Sequence, residues 1–314
     1  MEHKDSQILE GKAPGPLPVP THLYPTSSDI GSLNKILDPY FPNFQLQIPD
    51  QYRVDVWNPV FRRWVKKGRM PNLSFMWLMT DHTSGVGSGD PYPVAQVADN
   101  DLAVGRVINT ISHSKFWKST AIFVLEDDPQ NGVDHVDGHR SVLWTVSPYA
   151  SGGVQSHYYS QVNVVKTIEQ ILAIKPMNQQ DLAAEPMYSA FTNHPDFTPY
   201  DVQPNQIPLT LGAPGYSSTF TASAAAAGAK RTGLTEGLVP ASMRGVYSAW
   251  VAWSKKQKFN GPMARADAAK PALLNRLDWY SAHNWMVAYP GDPKIYLPDQ
   301  VPGRNLPAAF VGGN

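Results

Sequence analysis

The chain has 314 residues, of which 42% are hydrophobic and 11% aromatic, as in an ordinary globular protein. Its 26 basic and 26 acidic residues cancel, which excludes the broad positive field that binds nucleic acid or membrane surfaces. The chain has no cysteine, so disulfides and thiolate metal sites are excluded, and a metal could be held only by oxygen and imidazole ligands.

Neither a signal peptide nor a membrane span is visible in the sequence. The N-terminus, MEHKDSQILEGKAPGP, has no apolar stretch of the kind that directs export. No run approaches the roughly 20 apolar residues that cross a bilayer. We therefore expect a soluble protein without a transmembrane segment or signal peptide.

The first predicted elements follow a proline-rich lead-in at 1–72, which has room only for short elements. One of them is a helix over 54–67, which a proline would interrupt. Residues 73–80, LSFMWLMT, then form a continuous apolar run, typical of a strand buried on both faces. This strand would end at Asp81 and His82.

A helix and a second strand come next. Apolar residues at near-helical spacing follow a proline suited to a first turn and predict a helix over 93–112. A buried strand is predicted over 120–126. A crossover of this kind makes the two strands parallel, so that both end at one edge of the sheet. That edge would receive Asp81, His82, Glu126, Asp127 and Asp128.

The loop after the second strand is short and leads to a third strand, predicted over 141–147. His135 and His139 would therefore stay close to the carboxylates. A helix over 161–173 follows, with Ser160 as its N-cap and an apolar stripe along one face. The α/β core is expected to end there.

The remainder of the chain is irregular and includes the low-complexity stretch TASAAAAGAKRT, typical of surface wrapping and a linker. Two further helices are predicted over 241–259 and 272–286. The predicted regions are thus the lead-in at 1–72, an α/β core with metal-binding loops at 73–190, and an irregular and helical extension at 191–314.

Charge is concentrated between Glu126 and Arg140, where fifteen residues contain five carboxylates, two histidines and an arginine. Carboxylates gathered at one sheet edge repel each other and are costly to desolvate unless a cation accompanies them. One arginine cannot pair with all of them, so one or two divalent metals fit better. Mixed carboxylate and imidazole ligands favour zinc, manganese or iron over calcium. The candidate ligands are Asp81, His82, Glu126, Asp127, Asp128, His135 and His139.

Each segment taken alone also has a plainer interpretation. Asp81 and His82 are compatible with a helix cap or turn. The acidic run EDD is compatible with a solvated strand end, and DHVDGH with a calcium-style loop or a turn. It is the convergence of the three segments on one predicted edge that favours a metal site.

Several long segments resemble a known family: LSFMWLMTDHTSG, VADNDLAVGRVINTISHSKFWKSTAIFVLEDD, GVDHVDGHRSVLWTVSPYA and VVKTIEQILAIKPMNQQDLAAEPM. Over about 71–190 the chain resembles the C-terminal half of the bacterial phosphoesterase family that includes phospholipase C and acid phosphatase, within the alkaline phosphatase superfamily. The tail segment ALLNRLDWYSAHNWMVAYPG resembles the same family.

The resemblance implies an α/β fold, a three-layer α/β/α sandwich that is incomplete on its N-terminal side and carries a loop-rich, helical C-terminal extension. It also implies hydrolysis of phosphate monoesters or diesters with one or two divalent metal ions: zinc, manganese, iron, magnesium or calcium. By position it assigns the metal to Asp81, His82, Asp127, Asp128 and His139, with Glu126 and His135 as further ligands or their supports and Arg140 as a phosphate-binding residue.

In that family the nucleophile, a serine or threonine, lies in an N-terminal half, and no segment before Asp81 matches it. We therefore expect the C-terminal part of a metal-dependent phosphoesterase that lacks the nucleophile segment, with a small phosphate ester or phospholipid-type substrate. An N-terminal half-protein would complete the fold, and relatives are often periplasmic or extracellular. The alternatives are a catalytically inactive remnant and a metal-binding structural module.

Overall fold

The computed structural model describes residues 26–84, 90–127, 141–212, 241–257, 270–283 and 285–291. Within these ranges the chain contains helices and a small two-stranded sheet, which is compatible with the predicted α/β class; the three-layer sandwich stays a prediction. The elements are α1 (Asp50–Lys67), α2 (Pro93–Ser112), β1 (Ile122–Leu125), β2 (Leu143–Val146), α3 (Gln161–Leu172), α4 (Gln179–Ala183), α5 (Arg244–Gln257) and α6 (Pro271–Ala282).

The chain divides into two compact units. The first contains Met1–Phe116, Asp127–Ser141 and Pro199–Tyr289, and the second contains Trp117–Glu126, Val142–Thr198 and Pro290–Asn314. Each unit is described by itself below. The three regions predicted from composition remain a prediction.

Helix α1 begins four residues earlier than predicted and continues through Pro59, so the predicted interruption is wrong. A proline inside a helix removes one backbone hydrogen bond. The helix is held instead by its buried face, where Trp57 and Phe61 stack at 4.9 Å between ring centroids. It ends at Gly68, whose φ of 73° is the left-handed conformation that glycine adopts without strain.

Helix α2 has the predicted bounds, with Pro93 in its first turn. It packs against α1 within the first unit: Arg106 donates to the side chain of Gln51 at 2.9 Å and pairs with Asp55. The segment after residue 198 lies along α2, where the N–H of Val202 donates to Asn109 at 3.1 Å. Helices α1 and α2, together with the turn that follows residues 73–79, therefore position the candidate site in this unit.

The second unit is built on an antiparallel hairpin of β1 and β2, paired from Ile122 with Val146 to Leu125 with Leu143. Helix α3 lies where predicted, one residue shorter at its end. Its residue Val164 belongs to an apolar cluster with Met187 and Ala190, against which Phe123, Leu143, Tyr159, Ile168 and Phe191 pack.

The predicted strand over 73–80 is wrong, and so is its parallel pairing with the next strand. Residues 73–79 have no regular secondary structure, and Thr80–His82 form a 3-10 turn. A strand is stabilised by hydrogen bonds to a neighbour, and the described residues supply no neighbour for this one. An apolar run predicts that a segment will be buried, but not that a partner strand is present.

The helices α5 and α6 confirm the two helices predicted near the C-terminus, although α6 ends at Ala282 rather than at residue 286. They contribute Tyr247 and Leu277 to an apolar cluster completed by Trp285. No described helix is both long enough and apolar enough to span a bilayer.

Candidate functional site

Asp81 and His82 lie in the 3-10 turn at Thr80–His82, directly after the 73–79 segment. The carboxylate of Asp81 is half-buried, whereas His82 is exposed. The imidazole of His82 meets the ring of Phe44 edge-on, with 5.2 Å between the centroids. The plainer interpretation of this pair as a turn is therefore correct for the backbone, and it leaves both side chains at the surface end of that turn.

The turn is held in place by hydrogen bonds to Asp50, the first residue of α1, which is fully buried. Its carboxylate accepts the backbone N–H groups of Met79 at 3.0 Å and Thr80 at 3.0 Å, and the Thr80 hydroxyl at 2.7 Å. It also accepts the side-chain amide of Asn100 at 3.0 Å and Nη1 of Arg53 at 2.9 Å. One carboxylate thus ties the start of α1, the turn and helix α2 together.

Asn100 connects this buried group to the candidate ligand. Its Nδ2 donates to Oδ2 of Asp50 and, at 3.2 Å, to Oδ1 of Asp81. This contact limits the rotation of the Asp81 carboxylate. A carboxylate held in this way is oriented before any ligand binds.

Arg53 supplies the positive charge under the turn. It is fully buried, and its guanidinium donates to the backbone oxygens of Ile48, Asn43 and Gln45 at 2.5, 2.9 and 3.0 Å, in addition to Asp50. Burial lowers the pKa of Arg53, and the charge of Asp50 opposes that shift. A buried ion pair of this kind is costly to break, because either partner alone would be an uncompensated charge.

Asp99 is the second buried carboxyl in the network. Burial, and next the negative charge of Asp50, raise the pKa of Asp99 to about 7. The Thr80 hydroxyl lies 2.7 Å from Asp50 and 3.0 Å from Asp99, and its single proton can serve only one of them. A protonated Asp99 resolves this conflict, since it can donate to the Thr80 oxygen while that hydroxyl donates to Asp50.

The network therefore supports the turn and is not itself a metal site. The oxygens of Asp50 are already occupied by donors from four residues, and Oδ2 of Asp99 accepts the backbone N–H of Asp50 and lies 3.0 Å from the Thr80 hydroxyl. Asp81 and His82 bring one carboxylate and one imidazole to a turn that this network fixes. Donors of these two types fit zinc, manganese or iron, so this side of the predicted site is compatible with such a metal.

The other predicted ligands follow β1. Glu126 is half-buried and its N–H donates to the carbonyl of Val142 at 3.0 Å, which extends the hairpin by one residue pair, and Asp127 is exposed. Asp128, His135, His139 and Arg140 lie outside the described residues. In the part of the chain that the structure describes, no three His, Asp or Glu side chains come together as a metal-binding group. The convergence of the two loops accordingly stays a prediction.

The network residues were missed by the sequence analysis, which followed apolar periodicity and clusters of charge. Asp99 and Asn100 stand in the run ADND within an otherwise apolar helix pattern, and that polar interruption was a usable signal. Asp50 and Arg53 gave none, because a carboxylate in a first helical turn and a basic residue three positions later are common surface features.

Thr83, which follows the turn, has a φ of 57° and a ψ of 147°, a combination that is unfavourable for a residue with a branched side chain. Backbone strain of this kind costs on the order of 1–3 kcal/mol and persists only where the surroundings enforce it. The bonds from Asp50 to the turn just before Thr83 supply such enforcement.

Residues 40–175 match the Phosphoesterase family, which confirms the resemblance predicted from the sequence. The match includes α1, the turn with Asp81 and His82, α2 and the hairpin, together with all the predicted ligands. No curated protein and no solved structure matches the chain significantly.

Proposed function

Since residues 40–175 are phosphoesterase-like sequence, we propose that the chain carries the metal-binding part of a metal-dependent phosphoester hydrolase. The family match supports phosphoester hydrolysis in general. The metal dependence, and a small phosphate monoester, diester or phospholipid-type ester as substrate, belong to the proposal.

The observation that carries the proposal is the way the turn at Thr80–His82 is held. Asp81 is oriented by Asn100, and the backbone before it is bound to the buried carboxylate of Asp50. Supporting hydrogen bonds of this kind orient metal ligands in proteins and raise metal affinity.

The residues have distinct tasks in the proposed site. Asp81, His82, Asp127, Asp128 and His139 would hold one or two divalent ions, with Glu126 and His135 as further ligands or supports. Arg140 would bind a phosphate oxygen through charge-assisted hydrogen bonds. When bound, the metal would polarise the phosphoryl group and lower the pKa of a water molecule.

The attacking group is either that water molecule or a hydroxyl supplied by a second polypeptide. No described serine or threonine stands out as a nucleophile beside Asp81. Thr80 is buried and its hydroxyl is occupied by Asp50 and Asp99, which excludes it as the attacking group.

The proposal is tested with the full chain and two chromogenic substrates, p-nitrophenyl phosphate and bis(p-nitrophenyl) phosphate. Zinc, manganese, iron, magnesium and calcium are added separately, and EDTA is added afterwards. We expect turnover with at least one metal, its loss with EDTA, and its loss in Asp127→Asn and His139→Ala. Asp29→Asn, at an exposed aspartate in the first unit, is the matched control and should keep full activity.

Metal binding without turnover would contradict hydrolysis by this chain alone and would favour the metal-binding structural module. In that case Asp127→Asn should lower the melting temperature only when metal is present. If the chain shows neither turnover nor metal binding, the proposal is overturned.

A further inference from the structure

The most exposed apolar surface near the candidate site is formed by three residues at alternate positions, Leu73, Phe75 and Trp77. Their exposed fractions are 57%, 91% and 49%. Ser74 is exposed as well, and from Phe75 to Leu78 exposed and half-buried residues alternate, as in a strand with one face turned to solvent. Here the solvent-facing side is apolar, so burial would stabilise it.

The backbone of this stretch forms no hydrogen bond to the backbone of other described residues. Among the described residues, no backbone hydrogen bond involves the N–H or C=O groups of residues 71–78. Edge strands with open backbone groups recruit other strands, and proteins usually block them with charge, proline or a covering element. No charged residue interrupts the run from Leu73 to Met79.

The segment is nevertheless anchored at its C-terminal end. Met79 is buried, its N–H is bound by Asp50, and its sulfur lies 3.0 Å from Nη2 of Arg53. Trp77 packs on Phe44 with 5.6 Å between the centroids. One end of the segment therefore has a fixed position, which lowers the entropic cost of pairing with another strand.

A basic patch precedes the segment. Five exposed cations lie within eight residues at the end of α1, and the exposed Lys115 comes within 3.6 Å of the position that a Cβ at Gly68 would occupy. This excess of positive charge is local, because the whole chain is neutral. It would attract a partner that carries carboxylates next to its apolar part. The five are Arg62, Arg63, Lys66, Lys67 and Arg69.

We propose that residues 73–77 are a docking edge for a β-strand of a second polypeptide, one with alternating apolar residues and acidic residues beside them. Such a strand would satisfy both needs of this surface, since it brings backbone hydrogen bonds as well as apolar side chains. A lipid surface would cover the side chains but would leave the backbone groups without partners.

The docking edge is tested by selecting displayed random peptides of about ten residues, the upper length of an ordinary strand, on the immobilised full chain. Enriched peptides should alternate apolar residues and contain Asp or Glu near one end. A synthetic copy should bind the chain in solution and slow hydrogen exchange at the amides of residues 73–77. N-methylation of alternate peptide amides should weaken binding about tenfold or more, because it removes backbone donors and keeps the apolar side chains.

Two variants of the chain separate the edge from apolar surface in general. Phe75→Asp should weaken peptide binding about tenfold or more, since it places a carboxylate at the most exposed apolar position of the segment. Ile36→Asp, at a residue that is 80% exposed elsewhere in the first unit, is the matched control and should bind the peptide as the wild type does.

Four results would overturn the proposal. They are the absence of enriched peptides, equal binding of the N-methylated peptide, binding that Phe75→Asp leaves unchanged, and a Phe75-dependent dimer of the chain that excludes the peptide. Binding of vesicles of anionic phospholipid in place of any peptide would also overturn it and assign the edge to a membrane. All these measurements are independent of phosphoesterase activity.

Discussion

The exposed segment at 73–77 leads directly into the turn that the buried network around Asp50 holds, and the two regions are opposite in character. In the network, charged groups are buried with hydrogen-bond partners that come from α1, the turn and α2. In the segment, apolar side chains are exposed and the backbone has no partner among the described residues. The difference indicates that the turn with Asp81 is held by contacts within the described residues, while the irregular segment leading into it leaves apolar side chains exposed.

Removing the positive charge of Arg53 should have the largest effect on the stability of the chain. Arg53→Met leaves the carboxylate of Asp50 buried without its cation, which should lower the free energy of unfolding by about 3–5 kcal/mol. Chemical denaturation followed by circular dichroism measures the change. Asp55→Asn removes the charge from the partly exposed pair with Arg106, leaves the bonds from Arg106 to Gln51 in place, and should cost at most about 1 kcal/mol. Equal losses for the two variants would contradict a special role for the buried pair.

Alanine substitutions at two phenylalanines, one buried and one exposed, should differ clearly in their effect on the free energy of unfolding. Phe61 is 2% exposed and stacks on Trp57, so Phe61→Ala should cost about 3–5 kcal/mol. Phe75→Ala should change the free energy of unfolding by no more than about 0.5 kcal/mol, because the side chain is already in water. A large loss of stability in Phe75→Ala would show that residues 73–77 are packed in the isolated chain. It would contradict the contrast drawn with the network around Asp50.

The pH dependence of stability should depend on Asp99. Because its folded pKa of about 7 lies above that of a free carboxyl, the folded chain binds more protons than the unfolded chain between about pH 4 and about pH 7. The stability that this group contributes is therefore present at low pH and is lost as the pH rises through that window, by up to about 1.4 kcal/mol per unit.

Asp99→Asn removes this proton while keeping an acceptor and a donor in place. Relative to the wild type, the variant should gain stability as the pH is raised from about 5 to about 8, and at the upper end it should be at least as stable. Denaturation curves across this range provide the measurement. Parallel profiles for the two proteins would mean that Asp99 titrates normally.

The smallest expected effect concerns the link between the network and the candidate ligand. Asn100→Ala removes the donor to Asp81 and should weaken zinc or manganese binding by about tenfold, or about 1.4 kcal/mol. Calorimetric titration measures this, with Asn34→Ala as the control because Asn34 is exposed and its described hydrogen bonds go to the backbone of Ser28. Unchanged metal affinity in Asn100→Ala would show that the hydrogen bond from Asn100 to Asp81 does not contribute to metal binding.

Local signals predicted the helices well, and the pairing of distant segments was not predictable in the same way. The bounds of α2 follow from Pro93 at its start and from apolar residues at helical spacing. The strand over 73–80 failed because its apolar run specifies burial but not a partner. The hairpin was easier to predict. The strand expected after the loop that follows β1 is present as β2, and its register is set by pairing with β1, its neighbour in sequence.

The candidate site was predicted only in part for the same physical reason. Asp81 and His82 stand out in the sequence as a polar pair after an apolar run. Their support does not, since Asp50 contacts Thr80 across 30 positions and Asn100 across 50. Contacts of that separation depend on how α1 and α2 pack, which a single sequence does not reveal.

The most direct test of the account is the zinc affinity of the metal-free chain, measured by calorimetric titration for the wild type, Asp81→Asn and Asp127→Asn. If the turn and the loop after β1 hold the same metal, each substitution should weaken binding by about tenfold or more and leave metal-free stability unchanged. Zinc binding that Asp81→Asn does not alter, or no zinc binding by the wild type, would contradict a metal site shared by these two segments.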